Sequence, residues 1–133
     1  MRGVVTVSAR SLIMWLGVLY LLIGVLGFVP GITRATTVPG QGLLLGIFAV
    51  NTIHNLAHLI LGAVLVWASR GPSLVKGSQI LAVVFAVLVV ASFIAPLREG
   101  ISINLPDTIL HLVSMLITGY VGFTAAGRGT AMP

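Results

Sequence analysis

Hydrophobic positions gather into four long runs, at about residues 11–29, 43–69, 77–96 and 105–126. About 20 consecutive apolar residues are enough for an α-helix to cross the hydrocarbon core of a bilayer. The pattern therefore predicts an all-α, integral membrane four-helix bundle, with residues 1–133 forming a single membrane domain. The first run follows Arg2 and Arg10 and stops at Pro30. Its basic start resembles a signal peptide, but it is long for such an apolar region and no small-residue cleavage site follows, so it reads as a retained span. Residues 30–41 are rich in Pro, Gly and Thr and lack an apolar period, which predicts a loop. The second run closes on Trp67 and Arg70-Gly71-Pro72, and the third follows Lys76. The fourth opens after Asn104, with Pro106 in its first turn, and fades into a small-residue tail around Arg128.

Composition strengthens this picture. Of 133 residues, 58% are hydrophobic and 7% charged, against about 25% charged in a typical soluble domain. Mean hydropathy is +1.18. Four spans consume most of the chain, so no room remains for a soluble catalytic domain, and no Gly-rich phosphate-binding motif is present. The chain has no Cys, which excludes disulfides, thiolate metal sites and thiol redox chemistry. Glu99 and Asp107 are the two acidic residues, too few for paired-carboxylate catalysis of the usual kind. The net charge of +5 comes from singly scattered basic residues, which argues against a nucleic-acid partner. They read instead as topology signals: with both termini inside (N-in/C-in), Arg2, Arg10, Arg70, Lys76 and Arg128 lie in the cytoplasm and Arg34 and Arg98 outside. Trp15, Tyr20, Trp67 and Tyr120 fit interfacial belts. Small residues recur every four positions as Gly42/Gly46, Ala82/Ala86 and Ser114/Thr118/Gly122, a spacing that lets helices approach closely in lipid.

Against this apolar background, the middle of the second run reads Asn51-Thr52-Ile53-His54-Asn55-Leu56-Ala57-His58. Asn51, His54, Asn55 and His58 share one helix face. Burying such groups unpaired costs several kcal/mol, about 2–7 each, so that face must meet a partner helix. The fourth run supplies one. Asn51, His54, His58 and Leu59 match Asn104, Asp107, His111 and Leu112 at a constant offset of 53, a repeat of the form N-x-x-[H/D]-x-x-x-H-L. Both copies start outside and run inward, as expected of two hairpins related by an axis along the membrane normal.

Convergence of the two copies would place three imidazoles and a carboxylate together. His54, His58, Asp107 and His111 are the candidate metal ligands, and an N₃O set suits a transition ion (Zn, Fe, Cu or Ni) rather than Ca²⁺ or Mg²⁺. Asn51 and Asn55 would orient the rings, and Met115, four residues beyond His111, offers a thioether. Two histidines from different helices also suit the axial positions of haem b. The plainer reading makes the histidines and asparagines a hydrogen-bonded lock between helices. Asp107 has its own plain reading, because Asn104 followed by Asp107 has the spacing of a helix N-terminal capping box.

Residues 22–33 (LIGVLGFVPGIT), residues 43–48 (LLLGIF), His54-Asn55-Leu56-Ala57-His58 and Leu110-His111-Leu112 together resemble a family of small four-span bacterial membrane proteins catalogued as a domain of unknown function. The resemblance covers nearly the whole chain. It implies four spans in the bacterial inner membrane and draws attention to His54, Asn55, His58 and His111; it implies no activity or cofactor. The expected function is thus a multi-pass cell-membrane protein with an intramembrane His/Asn/Asp site that binds a transition metal or haem, as a sensor, chaperone or carrier. The alternative is a non-catalytic accessory or scaffold subunit. The lipid bilayer and a second copy or another membrane protein are the expected partners. A transporter or channel would need more ionisable residues than the spans carry. No general base stands apart from the ligands, which points away from an enzyme without excluding one.

Overall fold

A computed structural model describes residues 2–124, with side chains described from Ala9 onward. The elements run α1 (Arg2–Leu26), β1 (Thr33–Ala35), β2 (Gly42–Leu44), β3 (Phe48–Val50), α2 (Thr52–Ser69), α3 (Leu74–Ala91), α4 (Ala95–Ile101) and α5 (Leu105–Phe123). Four helical stretches, Ala9–Leu26, Thr52–Ser69, Leu74–Ala91 and Leu105–Phe123, are long and apolar enough to cross a membrane. The side chain of Arg2, residue Arg128 and the last residues of the expected fourth span lie outside the described residues.

The expectation of an all-α fold needs one correction. Residues 43–50, expected to begin the second span, fall in β2, the turn after it and β3 of a three-stranded antiparallel sheet ordered β1-β2-β3, and β1 lies inside the expected loop. Local backbone chemistry explains the difference. Gly40, Leu45 and Gly46 all have positive φ, a region that cannot continue a right-handed helix. Leu45 and Gly46 form the tight turn between β2 and β3, closed by the Ile47 N–H donating to Leu44 O at 3.0 Å. The apolar run Leu43-Leu44-Leu45 has no period that distinguishes a short buried strand from a helix. Leu44 and Val50 pack on Ile23 as an apolar plug over one end of the bundle. Gly42 and Gly46 consequently belong to the sheet and its turn, not to a helix-packing stripe.

The bundle is two helical hairpins, α1 packed on α2 and α3 packed on α5. Glycine sets the closeness of the first. A Cβ at Gly62 would lie 2.7 Å from Leu21 N, and one at Gly17 would lie 2.9 Å from Gly62 O, so the two backbones touch without intervening side chains. In the second hairpin, a Cβ at Gly122 would lie 2.7 Å from Gln79 N, and Gln79 donates from Nε2 to Gly122 O at 2.8 Å. Ser114, Thr118 and Gly122 are buried on this seam, as the small-residue spacing predicts.

The internal repeat extends well beyond the motif. Buried positions on α2 (His54, His58, Leu65, Ala68, Ser69) correspond to buried positions on α5 (Asp107, His111, Thr118, Val121, Gly122) at the same offset of 53. α1 and α3, whose sequences show no match, correspond in burial at an offset of 65: Ala9, Ile13, Leu16 and Tyr20 with Leu74, Ser78, Leu81 and Phe85. The two offsets differ because the first hairpin's connection is longer and carries the sheet.

Each half also clasps the other through an asparagine. Asn51 caps α2 by accepting from His54 N at 2.8 Å and donates from Nδ2 to Gly100 O at 2.9 Å. Asn104 caps α5 by accepting from Asp107 N at 3.3 Å and donates from Nδ2 to Ile47 O at 2.8 Å. Gly100 and Ile47 are themselves 53 residues apart, so the exchange is reciprocal. Removal of an Asn cap costs about 0.5–2 kcal/mol. Asn51→Ala should lower the thermal stability of the detergent-solubilised protein by that amount plus the loss of the Gly100 bond. Asn51→Ser, which keeps a cap oxygen but cannot reach Gly100, should recover only part of it. Full recovery by serine would show that the clasp contributes nothing.

Candidate metal centre

Early termination of the sheet moves the polar site along the bundle. With residues 42–50 in strands, His54 and Asp107 are the third residues of α2 and α5. At 1.5 Å rise per residue the site therefore lies about 5–10 Å in from the helix starts, beneath the sheet, rather than mid-span as the long second run suggests. Asn51 and Asn104, as caps, sit just outside their helices.

Three histidines meet there. The ligating atoms of His54, His58 and His111 all lie within 4.8 Å of one another, and the residues are only 1%, 1% and 2% exposed. His54 Nδ1 lies 2.8 Å from Ile101 O and 3.2 Å from Ser102 O. Carbonyl oxygens only accept, so Nδ1 carries the hydrogen and, in the neutral ring, Nε2 presents a lone pair. Ser102, at φ 57, adopts the left-handed conformation at the end of α4, and its carbonyl is one of the two that hold the ring. His54 Nε2 faces His58 Nε2 at 2.9 Å. With no ion between them, His58 must donate to that lone pair. His58 Nδ1 and both ring nitrogens of His111 then have no hydrogen-bond partner on the protein.

Asp107 is fully buried, and it makes the capping box that its spacing from Asn104 predicts. Its Oδ2 accepts from Asn104 N at 3.0 Å, completing the capping box with Asn104. Its Oδ1 has no hydrogen-bond partner and lies 3.8 Å from His54 Nε2. Tetrahedral ligation at about 2.0–2.1 Å per nitrogen separates ligand atoms by about 3.3 Å; the three imidazoles, with ligand atoms within 4.8 Å of one another, lie near that spacing, and Asp107 Oδ1 approaches it at His54 Nε2.

All four spans build the surroundings. Tyr20 of α1 meets the His58 ring edge-on with centroids 5.0 Å apart and stacks on His111 at 6.4 Å. Phe85 of α3 stacks on His111 at 6.3 Å. Ser114 gives its proton to Leu110 O, so Tyr20 donates to Ser114 Oγ, at 2.8 Å. Assignment of Tyr20 to an interfacial belt is thereby corrected: it is wholly buried, whereas Trp15, Trp67 and Tyr120 are exposed on the outer face. Nothing in the sequence around Tyr20 separates it from those three; only its correspondence with Phe85 across the hairpins does, and that is a matter of burial.

The remaining candidates lie around the triad rather than in it. Asn51 reaches His54 through the backbone N–H. Asn55 turns toward α1, where a Cβ on Gly27 would overlap its side-chain oxygen, and that oxygen has no hydrogen-bond partner. Met115 packs against the apolar cluster that includes Tyr20 and Phe85 and lines an outward groove with Ala82, Ala86 and Gly119.

No curated protein and no solved structure matches the chain. A family model does: residues 10–124, which include all of the site residues just described, match the domain of unknown function DUF4383, and the chain belongs to that family.

Proposed function

We propose that this multi-pass membrane protein holds one transition-metal ion (Zn, Fe, Cu or Ni) between α2 and α5, ligated by His54, His58 and His111 with Asp107 Oδ1 as the fourth ligand. The observation that carries this reading is a buried three-histidine cluster with all ligand atoms within 4.8 Å, in which His111 has neither ring nitrogen paired. Unpaired buried polar groups cost about 1–3 kcal/mol each, and an ion ligated by one nitrogen of each ring removes part of that cost. Asn51 and the carbonyls of Ile101 and Ser102 hold His54 in place, the supporting role that residues behind metal ligands commonly play. A bare ion suits this site better than haem b: Tyr20 and Phe85 pack directly on the rings, and a macrocycle would have to part them.

Such a site serves a carrier, chaperone or sensor of the ion rather than an enzyme. Arg10, Arg70 and Lys76 at the end opposite the sheet, against Arg34 and Arg98 at the sheet end, support an orientation with both termini inside and the metal centre near the outer face. The bilayer would cover the apolar outer surface that Leu22, Ile60, Val87 and Leu116 present.

Elemental mass spectrometry on the intact protein in mild detergent tests the reading. About one transition ion per chain is expected, lost in His58→Ala. No metal above background in the wild type after loading would overturn it and leave the histidines as an interhelical lock.

A further inference from the structure

His54 and Asp107 occupy equivalent positions in the two halves of the bundle, and the structure treats them alike. Each is the third residue of its helix, under an asparagine cap that clasps the opposite half. Each ties one side-chain atom to backbone: His54 Nδ1 to the carbonyls of Ile101 and Ser102, Asp107 Oδ2 to Asn104 N–H. Each turns its other atom inward, His54 Nε2 and Asp107 Oδ1, and these lie 3.8 Å apart. Four residues further on, both halves supply a histidine, His58 and His111. The site is thus a pair of matching two-ligand arms that differ at one place, where an imidazole in one arm is replaced by a carboxylate in the other.

We infer that Asp107 is the ion-selecting ligand of this centre, and that its carboxylate commits the site to a divalent ion of Zn²⁺ type over Cu⁺. The inference rests on the metal reading above and concerns which ion that site takes. Carboxylate oxygen is a hard, anionic donor, whereas Cu⁺ is held best by soft sulfur donors; the chain has no Cys. Asp107 is also the one acidic residue within the four spans. In apolar surroundings an isolated charge is costly, and a fixed negative charge at the ligand position favours a doubly charged ion most strongly. The matching position shows that an imidazole fits this architecture, so the carboxylate is not imposed by helix geometry. The cap alone does not require it either, because an amide oxygen accepts from Asn104 N–H as well as a carboxylate oxygen does.

Two variants of the full chain separate capping from ligation. Asp107→Asn keeps an oxygen for the Asn104 N–H and removes the charge; Asp107→His repeats the residue found at position 54. Zn²⁺ and Cu⁺ dissociation constants would be measured in detergent by competition with chromophoric chelators, beside His58→Ala and a thermal melt of each protein. The wild type is expected to prefer Zn²⁺. Asp107→Asn should weaken Zn²⁺ about tenfold or more, the scale on which metal sites respond to such changes, while Cu⁺ affinity moves by no more than about threefold. Asp107→His should shift the Cu⁺-to-Zn²⁺ preference toward Cu⁺ by about tenfold. An unchanged Zn²⁺ constant in Asp107→Asn, an unchanged preference in Asp107→His, or a wild type that prefers Cu⁺ would overturn the inference while leaving the metal centre standing. Failure of the wild type to bind either ion, with His58→Ala indistinguishable from it, would overturn the metal centre itself and the inference with it. If the melt shows Asp107→Asn unfolded, the preference of Asp107→His decides.

Discussion

Exchange of His111 for leucine should make the metal-free protein more stable and remove its response to metal. Both His111 ring nitrogens are buried without a hydrogen-bond partner, beside the rings of Tyr20 and Phe85. An unsatisfied buried polar group costs about 1–3 kcal/mol, and an apolar side chain of similar size at the same place is neutral to stabilising. In chelator, His111→Leu is therefore expected to gain about 1–3 kcal/mol over the wild type. With Zn²⁺ the order reverses. A ligand at a thousand times its dissociation constant stabilises the state that binds it by about 4 kcal/mol, and only the wild type keeps three imidazoles. Thermal unfolding in detergent, run with chelator and then with Zn²⁺, reads both effects. A variant less stable than the wild type in chelator would mean that the histidine lock is what the bundle needs, and the metal reading would lose its main physical support.

Gly62→Ala is expected to lower stability by about 1–3 kcal/mol, the usual cost of overpacking. The added methyl would meet Leu21 N at 2.7 Å and Gly17 O at 2.8 Å. Both are backbone atoms and cannot swing aside, so α1 and α2 must separate. The rest of that seam would follow, including Tyr20 over His58. Alanine's better helix propensity, about 1 kcal/mol over glycine, offsets part of the loss. Gly119→Ala on α5 isolates that offset, because a Cβ there has nothing within 4 Å; it should gain up to about 1 kcal/mol. The pair is read from unfolding midpoints in the same detergent. Equal stability of Gly62→Ala and the wild type would show that the two helices do not approach this closely.

The four apolar runs, the Asn104 cap and the paired [H/D]-x-x-x-H elements were legible in the sequence because each is local; the Asn51 cap was not, because the apolar run from residue 43 placed Asn51 inside a span. Hydrophobic run length reports a span, and a cap acts within one helical turn, so Asn104 and Asp107 carry their capping box in their spacing alone. Residues 42–50 were not legible in the same way. Leucine and isoleucine serve a short buried strand as readily as a membrane helix, and what turns the chain there is the backbone conformation of Leu45 and Gly46. The Gly17–Gly62 contact joins residues 45 positions apart, and neither glycine has a neighbour that marks it as different from the others.

By itself, then, the sequence determined the four segments long and apolar enough to cross a membrane, the absence of thiol chemistry and the residue types able to ligate an ion, since these follow from composition and from spacing along a single helix. The tertiary structure decided which side chains meet. It put Tyr20 and Phe85 on the histidine rings, tied His54 Nδ1 to a backbone segment 47 residues away, and left Asp107 Oδ1 unpaired beside His54 Nε2. Those outcomes depend on how two hairpins are rotated against each other, and that rotation is set by contacts between residues far apart in the chain.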